Sequence, residues 1–332
     1  MATLHKEYNI FYNKIKLTQR RKEDLLGSRK ELRRKIEKWF VENKPNKLQP
    51  TFKGQGSFEM DTTVNPIPEG NEDKKLLKYD LDDGVYFNEK KGEDNKEEIA
   101  TWHNWVYEAV KDHTGENVKR KQTCVRVLFA DGHHIDLPIY YKKGDTSKLA
   151  HRSKDWISSD PVAFTDWFNK KSNKQIKRLV RYIKAWKDYR HEKNSHLKLP
   201  SGFALTILMV KHYHEDDNDD VSFRKTIQSI HAALTQPNGF VCKRPTMPKD
   251  ANVFEDYSKT RKEDFLKTLK NLCDDCKRAD DEKNQKKASE YLIDRQFGTR
   301  FPKGNNVDEE TQSAKIKKEV TATLISPKPY GQ

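Results

Sequence analysis

The sequence predicts an α+β protein of two lobes, a mixed sheet lobe carrying a long N-terminal helix followed by a lobe built of helices. Three observations predict it. Residues 17–43 carry one apolar helical face, strand-like runs near 79–82 and 123–141 flank a helical stretch, and from the composition change at 144–155 onward the pattern is helical.

Taken in order, Leu25, Leu32, Ile36 and Phe40, joined by Leu26 and Trp39, mark the long helix, and Pro45 and Pro50 stop it. The chain then enters a Gly-Gln-Gly-Ser turn at 54–57. Residues 66–78, PIPEGNEDKKLLK, are turn-rich and charged, the signature of an exposed loop. A strand follows at 79–82. Trp102, Trp105, Val106, Ala109 and Val110 then predict a helix over 99–113 that packs on the sheet. In TCVRVLFADGHHIDLPIYY, residues 123–141, two β-rich runs flank Asp131-Gly132, a strong hairpin signal.

The composition changes over 144–155, GDTSKLAHRSKD, which sets the expected lobe boundary: residues 1–150 for the sheet lobe, 151–304 for the helical lobe. Ser159 or Asp160 caps a helix with Pro161 in its first position. Ile176, Leu179, Val180, Ile183 and Trp186 form one stripe and predict a helix over 173–190. Ser201 follows Pro200 at the N-cap of a buried helix. Further helices run through 220–235, around Phe265–Leu272 and over 288–297, while 242–256 is proline-punctuated and extended. Residues 305–332 have little to bury and read as a flexible tail.

The chemistry-bearing residues lie on the strands. Asp80 and Asp82, two apart, project from one face, with Tyr79, Leu81 and Asp83 on the other. Two carboxylates so close repel unless a cation sits between them, and oxygen-only ligation suits a hard divalent ion such as Mg²⁺. The Gly-Ser turn nearby offers backbone N–H groups to phosphates. On the second hairpin strand Ile135, Leu137 and Ile139 share one face, which turns Asp136 and His134 to the other. A carboxylate in so apolar a strand is costly unless it is paired or bound to metal.

The 332 residues suffice for one large or two modest domains. With 34% hydrophobic against 35% charged residues the surface is heavily solvated. The longest apolar run, 202–210, is too short for a membrane span of about 20 residues, and the first residues carry no signal-peptide core, so a cytoplasmic protein is expected. Four cysteines make no disulfide framework. Cys273 and Cys276 read either as half a zinc site lacking its second pair or as neighbours on a helix. The 65 Lys and Arg are interleaved with 51 Asp and Glu, so the net charge of +14 suits nucleoside triphosphates as well as it suits a polymer.

Gly56-Ser57, then Asp80-Leu81-Asp82, then Asp136 in HIDLPIY resemble the metal-binding triad of the DNA polymerase β-like nucleotidyltransferase superfamily. QGSF, DLDDGVYF and IDLPIYY resemble more specifically the cGAS/DncV-like nucleotidyltransferases, the CD-NTases of CBASS-type antiphage defence, and QFGTRFP is similar to the end of that family's folded core. One departure is that Ser57 and Asp80 lie 23 residues apart, which makes Asn65–Lys78 an inserted loop.

The resemblance implies a two-lobed fold braced by the N-terminal helix, and two Mg²⁺ ions, replaceable by Mn²⁺, held by Asp80, Asp82 and Asp136. It implies that Gly56 and Ser57 cradle phosphates. Lys187 and Ser201, 14 residues apart, would hold a triphosphate, with Lys184 as the rival of Lys187 and the N-cap role as the rival for Ser201. Gln55 either touches the nucleotide or is a polar loop residue. The implied substrates are ATP, GTP or other nucleoside triphosphates, and the implied product is a cyclic dinucleotide such as cGAMP. The enzyme would be a monomer needing neither nucleic acid nor membrane, with a tail that is either plainly disordered or joined to other molecules by ubiquitin-like conjugation enzymes. Two alternatives stand beside it: a linear nucleotidyltransferase acting on RNA or protein, and a catalytically dead nucleic-acid-binding scaffold.

Overall fold

The structure, a computed structural model, describes residues 3–67, 78–90, 95–115 and 118–308. Most of the expected inserted loop (68–77) and most of the expected tail (309–332) lie outside the described residues.

Two helices open the chain, α1 (His5–Ile15) and α2 (Gln19–Asn43), the second capped by Thr18, whose side chain accepts from the Arg21 N–H. Of the face predicted for α2, Leu25, Leu32, Ile36 and Phe40 are sealed in the sheet-lobe core, each contributing roughly 1.5–3 kcal/mol, Trp39 packs against that core partly buried, and Leu26 is exposed. The helix α1, which the sequence reading passed over, sends Tyr8, Phe11 and Ile15 into the core of the helical lobe. The N-terminal brace is therefore two helices, one anchored in each core.

The sheet lobe comprises β1 (Pro50–Gln55), the single turn α3 (Gly56–Glu59), β2 (Asp80–Asn88), α4 (Ile99–Val110), β3 (Lys119–Arg120), β4 (Cys124–Leu128), β5 (His134–Lys143), β6 (Thr146–His151) and β7 (Asp155–Ser158). Strands run in the order β1-β2-β5-β4-β3, with β6 paired to the far half of β5 and β7 to β6. The central pair β2–β5 is parallel and the remaining pairs are antiparallel, giving a mixed sheet. As expected, α4 packs on it: Trp102 stacks on Phe87 with ring centroids 4.7 Å apart.

One expectation shifts. The polar stretch 144–155, read as a lobe boundary, forms β6 and the turn into β7, so residue 150 falls inside a hairpin and the sheet runs on to Ser158. These are short outer strands whose exposed side chains are polar, and only positions such as Ser147 and Ala150 turn inward. Helices begin where Asp160 accepts from the Ala163 N–H, at the start of α5 (Pro161–Lys171).

The helical lobe continues with α6 (Lys174–Lys193), α7 (Gly202–Lys211), α8 (Asp219–Leu234), α9 (Lys259–Asp281) and α10 (Gln285–Leu292). Phe297 and Phe301 of the QFGTRFP stretch stack on each other and pack against Phe11 of α1. Cys273 and Cys276 are buried neighbours on α9, where burial pushes the Cys273 thiol up to about 12, and Tyr8 Oη lies 3.9 Å from Cys276 Sγ. Among the described residues the one set of three side chains able to share a metal ion lies in the sheet lobe. No helix among them is long and apolar enough to cross a membrane.

Candidate active site

The antiparallel register of β1 and β2 sets Gln55 opposite Asp82, so the chain leaves β1 directly beside the carboxylates. Gly56 follows with φ +73°, and a Cβ built there would sit 2.3 Å from Asp82 Oδ2. Only glycine combines that conformation with that approach. Ser57 and Asp80 are 23 positions apart in the chain, yet the pairing of β1 with β2 brings the turn beside the acids.

On the sheet, parallel pairing aligns Asp80 with His134 and Asp82 with Asp136. Oxygens of Asp80 and Asp136 and a ring nitrogen of His134 all lie within 4.8 Å of one another. Asp82 stands beside them, its carboxyl held well above the usual carboxylate range by burial first and then by the negative charges of Asp80 and Asp136. This surplus of negative charge in a low-dielectric setting fits a divalent cation, and the predominance of carboxylates favours a hard one. Asp83 points to the opposite face, as the alternation predicts, fully buried and clamped by the Arg33 guanidinium.

Two side chains that the sequence reading did not place in the site stand in it. Arg126 of β4 donates Nε and Nη2 to the two oxygens of Asp136, both at 2.7 Å, and so fixes the carboxylate plane. A signal for it existed: positions 126 and 136 lie symmetrically about Asp131, the hairpin turn residue, and pair across the strands. His134, on the acids' face of β5, adds a ring nitrogen to the same group, a role that its alternation alone does not reveal.

The turn is buttressed from the helical lobe. Ser57 Oγ lies 3.0 Å from Thr63 Oγ1, and Lys184 of α6 donates to Thr62 Oγ1 at 3.0 Å. Between them Asp61 accepts from Lys22 of α2 at 3.0 Å and from the buried Arg181 of α6 at 2.8 Å. Burial pushes the Lys184 ammonium down to about 8, opposed by the nearby Asp80. Lys187 is lowered by burial too, with Asp188 opposing.

A cleft of about 1040 Å³ opens over these groups, and Gln55, Gly56, Ser57, Asp80, Asp82 and Asp136 line it together with Lys184 and Lys187. Gln55 forms its floor: Nε2 donates to Tyr140 Oη at 3.1 Å, Tyr86 Oη donates to Oε1 at 3.5 Å, and little of the side chain reaches solvent. Ser201 is not among the lining residues. Its Oγ accepts from the Ala204 N–H at 3.2 Å as the N-cap of α7, while the next residue, Gly202, faces the cleft. Of the two rival lysines, Lys184 is the one that bonds to Thr62 and whose charge senses Asp80.

Residues 50–140 match the family described as cyclic GMP-AMP synthase DncV-like, nucleotidyltransferase domain. A cyclic GMP-AMP synthase of Escherichia albertii is 30% identical over 243 residues, covering 68% of this chain and 51% of that protein. A cyclic AMP-AMP-AMP synthase of an Acinetobacter strain is 32% identical over 121 residues, 34% of each. The chain spans about half the length of the former and a third of the latter. The crystal structure of Vibrio cholerae DncV, a cyclic AMP-GMP synthase, matches with a TM-score of 0.74 at 21% identity, over 90% of this chain and 97% of that one. The α+β, two-lobed architecture is shared with that structure.

Proposed function

We propose, on the premise that the chain belongs to the DncV-like nucleotidyltransferases of the polymerase β-like superfamily, that it joins nucleoside triphosphates into a cyclic oligonucleotide. The observation that carries this reading is the convergence of Asp80, Asp82 and Asp136 from two parallel strands beside the Gly56-Ser57 turn, on the floor of one large cleft.

Phosphoryl transfer asks a protein mainly for position and charge. Divalent cations, when bound, neutralise the transferring phosphate and acidify the attacking hydroxyl. Asp80, Asp82 and Asp136 are the residues that would hold them, as Mg²⁺ or Mn²⁺, with His134 adjacent. We assign the hydroxyl proton to an oxygen of Asp136, the carboxylate whose position the Arg126 fork fixes. Gly56 and Ser57 bind the β and γ phosphates, and Lys184 and Lys187 supply positive charge. Ser201 contributes by organising the start of α7. Gln55, tied to two tyrosines, shapes the floor.

A cleft of about 1040 Å³ lies at the top of the range of roughly 300–1,000 Å³ usual for a single small ligand, as a site taking two nucleotides requires. Several relatives are named cyclic GMP-AMP synthases, which favours ATP and GTP as substrates and cGAMP as product, in cytoplasmic antiphage signalling of the CBASS type. The test is to incubate purified protein with Mg²⁺ and the four ribonucleoside triphosphates, then to analyse the phosphatase-treated products by mass spectrometry. A phosphatase-resistant cyclic dinucleotide with released pyrophosphate is expected, and Asp80→Asn should abolish it. Extended RNA or labelled protein would instead make this a linear transferase. Salt-dependent nucleic-acid binding without turnover would make it a scaffold.

A further inference from the structure

We propose that Arg244 and Phe203 form a base-reading wall of the cleft and that this wall selects guanine. The proposal rests on the nucleotidyltransferase reading above. It starts from a cation without an acid. Arg244 lines the cleft from the proline-punctuated segment after α8, where its backbone N–H donates to Ala251 O at 2.9 Å and its carbonyl accepts from Asp250 N at 3.0 Å, so its position is fixed. A half-buried guanidinium ordinarily meets a carboxylate. Arg244 meets none among the described residues: Nη2 donates to Met247 O at 3.0 Å, and the buried Nε has no acceptor at all. Burial alone pulls its guanidinium below the ordinary value.

Lys187, which also lines the cleft, is assigned above to the phosphates, and three further cations of the site are committed. Arg126 holds Asp136, Arg181 holds Asp61, and Lys184 binds Thr62. Arg244 keeps donors for an acceptor that the chain itself does not supply. Its surroundings say what kind. The guanidinium lies 4.9 Å from the centroid of the Phe203 ring, which is itself 4.5 Å from the Phe164 ring, and both rings line the cleft. Aromatic faces with an adjoining guanidinium hold flat bases by stacking, whereas a phosphate has no flat face to offer. Among the purines, guanine presents two acceptors, O6 and N7, along one edge. Adenine sets an N6 amino donor beside its N7, which opposes an N–H fork.

The experiment measures equilibrium binding of one triphosphate at a time, without divalent cation so that nothing turns over. GTP, inosine triphosphate, 7-deaza-GTP and ATP are compared on wild type, Arg244→Lys and Arg244→Ala. Wild type should bind GTP and inosine triphosphate alike, and both about tenfold or more tighter than ATP and 7-deaza-GTP. Arg244→Ala should erase that preference with ATP affinity changed less than about twofold, and Arg244→Lys, which keeps the charge but not the fork, should not restore it. Equal binding of all four nucleotides by wild type overturns the proposal, and that series needs no variant to fold. Equal losses of GTP and ATP affinity in the variants overturn it too, because they would assign Arg244 to phosphate. Since binding is read here, a failure to form cyclic product would sink the synthase reading separately.

Discussion

Gly56→Ala asks whether the turn and the carboxylates form one site. At φ +73° a side chain adds a backbone cost of about 1–2 kcal/mol. The new methyl would sit 2.3 Å from Asp82 Oδ2 and 3.2 Å from its Cγ, against an ordinary contact of 3.4 Å or more, so the carboxylate must retreat by about 1 Å. Strain and displacement together should destabilise the fold by about 2–3 kcal/mol. A 1 Å misplacement of a catalytic group costs on the order of 100-fold in rate. The control is Gly27→Ala in α2, where a Cβ meets nothing within 4 Å and alanine should stabilise the helix by up to about 1 kcal/mol. Urea unfolding and pyrophosphate release, measured on both variants, give the comparison. If Gly56→Ala kept turnover within about threefold of wild type, the turn would not belong to the catalytic centre.

Other expectations follow from charge. Asp82 has a raised carboxyl pKa, so the fold prefers its protonated form and loses that stability as pH rises through the folded pKa. Thermal melts at pH 7 without divalent cation should therefore show Asp82→Asn at least as stable as wild type, while Mg²⁺ raises the melting temperature of wild type alone. Lys184 is held at about 8 by burial, so its charge fades as pH climbs past that value. Nucleotide affinity should weaken over pH 8–9, with proton uptake visible by calorimetry in buffers of different ionisation enthalpy, and Lys184→Arg should remove the dependence. Arg33→Ala leaves Asp83, whose side chain is 0% exposed, without its partner and should cost about 3 kcal/mol in denaturant unfolding. Arg33→Met with Asp83→Leu should recover most of that, and turnover per folded molecule should stay unchanged because this pair lies on the far face.

The sequence was most legible where periodicity and chemistry coincided. Leu25, Leu32, Ile36 and Phe40 announced α2, the stripe from Ile176 to Trp186 announced α6, and the alternation around Asp80, Asp82 and Asp136 set which face the acids share. It was less legible where an element is short or depends on a distant partner. Residues 50–55, PTFKGQ, hold a proline and a glycine and become β1 through their pairing with β2. β6 and β7 are outer strands of polar composition, so a stretch that completes the sheet read as a linker. Leu4, Tyr8, Phe11 and Ile15 do recur at helical spacing, and α1 could have been found from them. Arg244 and Phe203 meet across a gap of 41 positions, beyond the reach of any local pattern. Ser201 shows a different limit, since one serine can cap a helix or bind a phosphate and only its surroundings separate the two.

The most direct test of the central claim is a crystal structure with Mn²⁺ and a non-hydrolysable nucleoside triphosphate, read by anomalous scattering. The account predicts manganese bound by the carboxylates of Asp80, Asp82 and Asp136, with the triphosphate against the Gly56-Ser57 turn. Manganese bound away from these three acids, or a nucleotide seated outside the cleft, would contradict it.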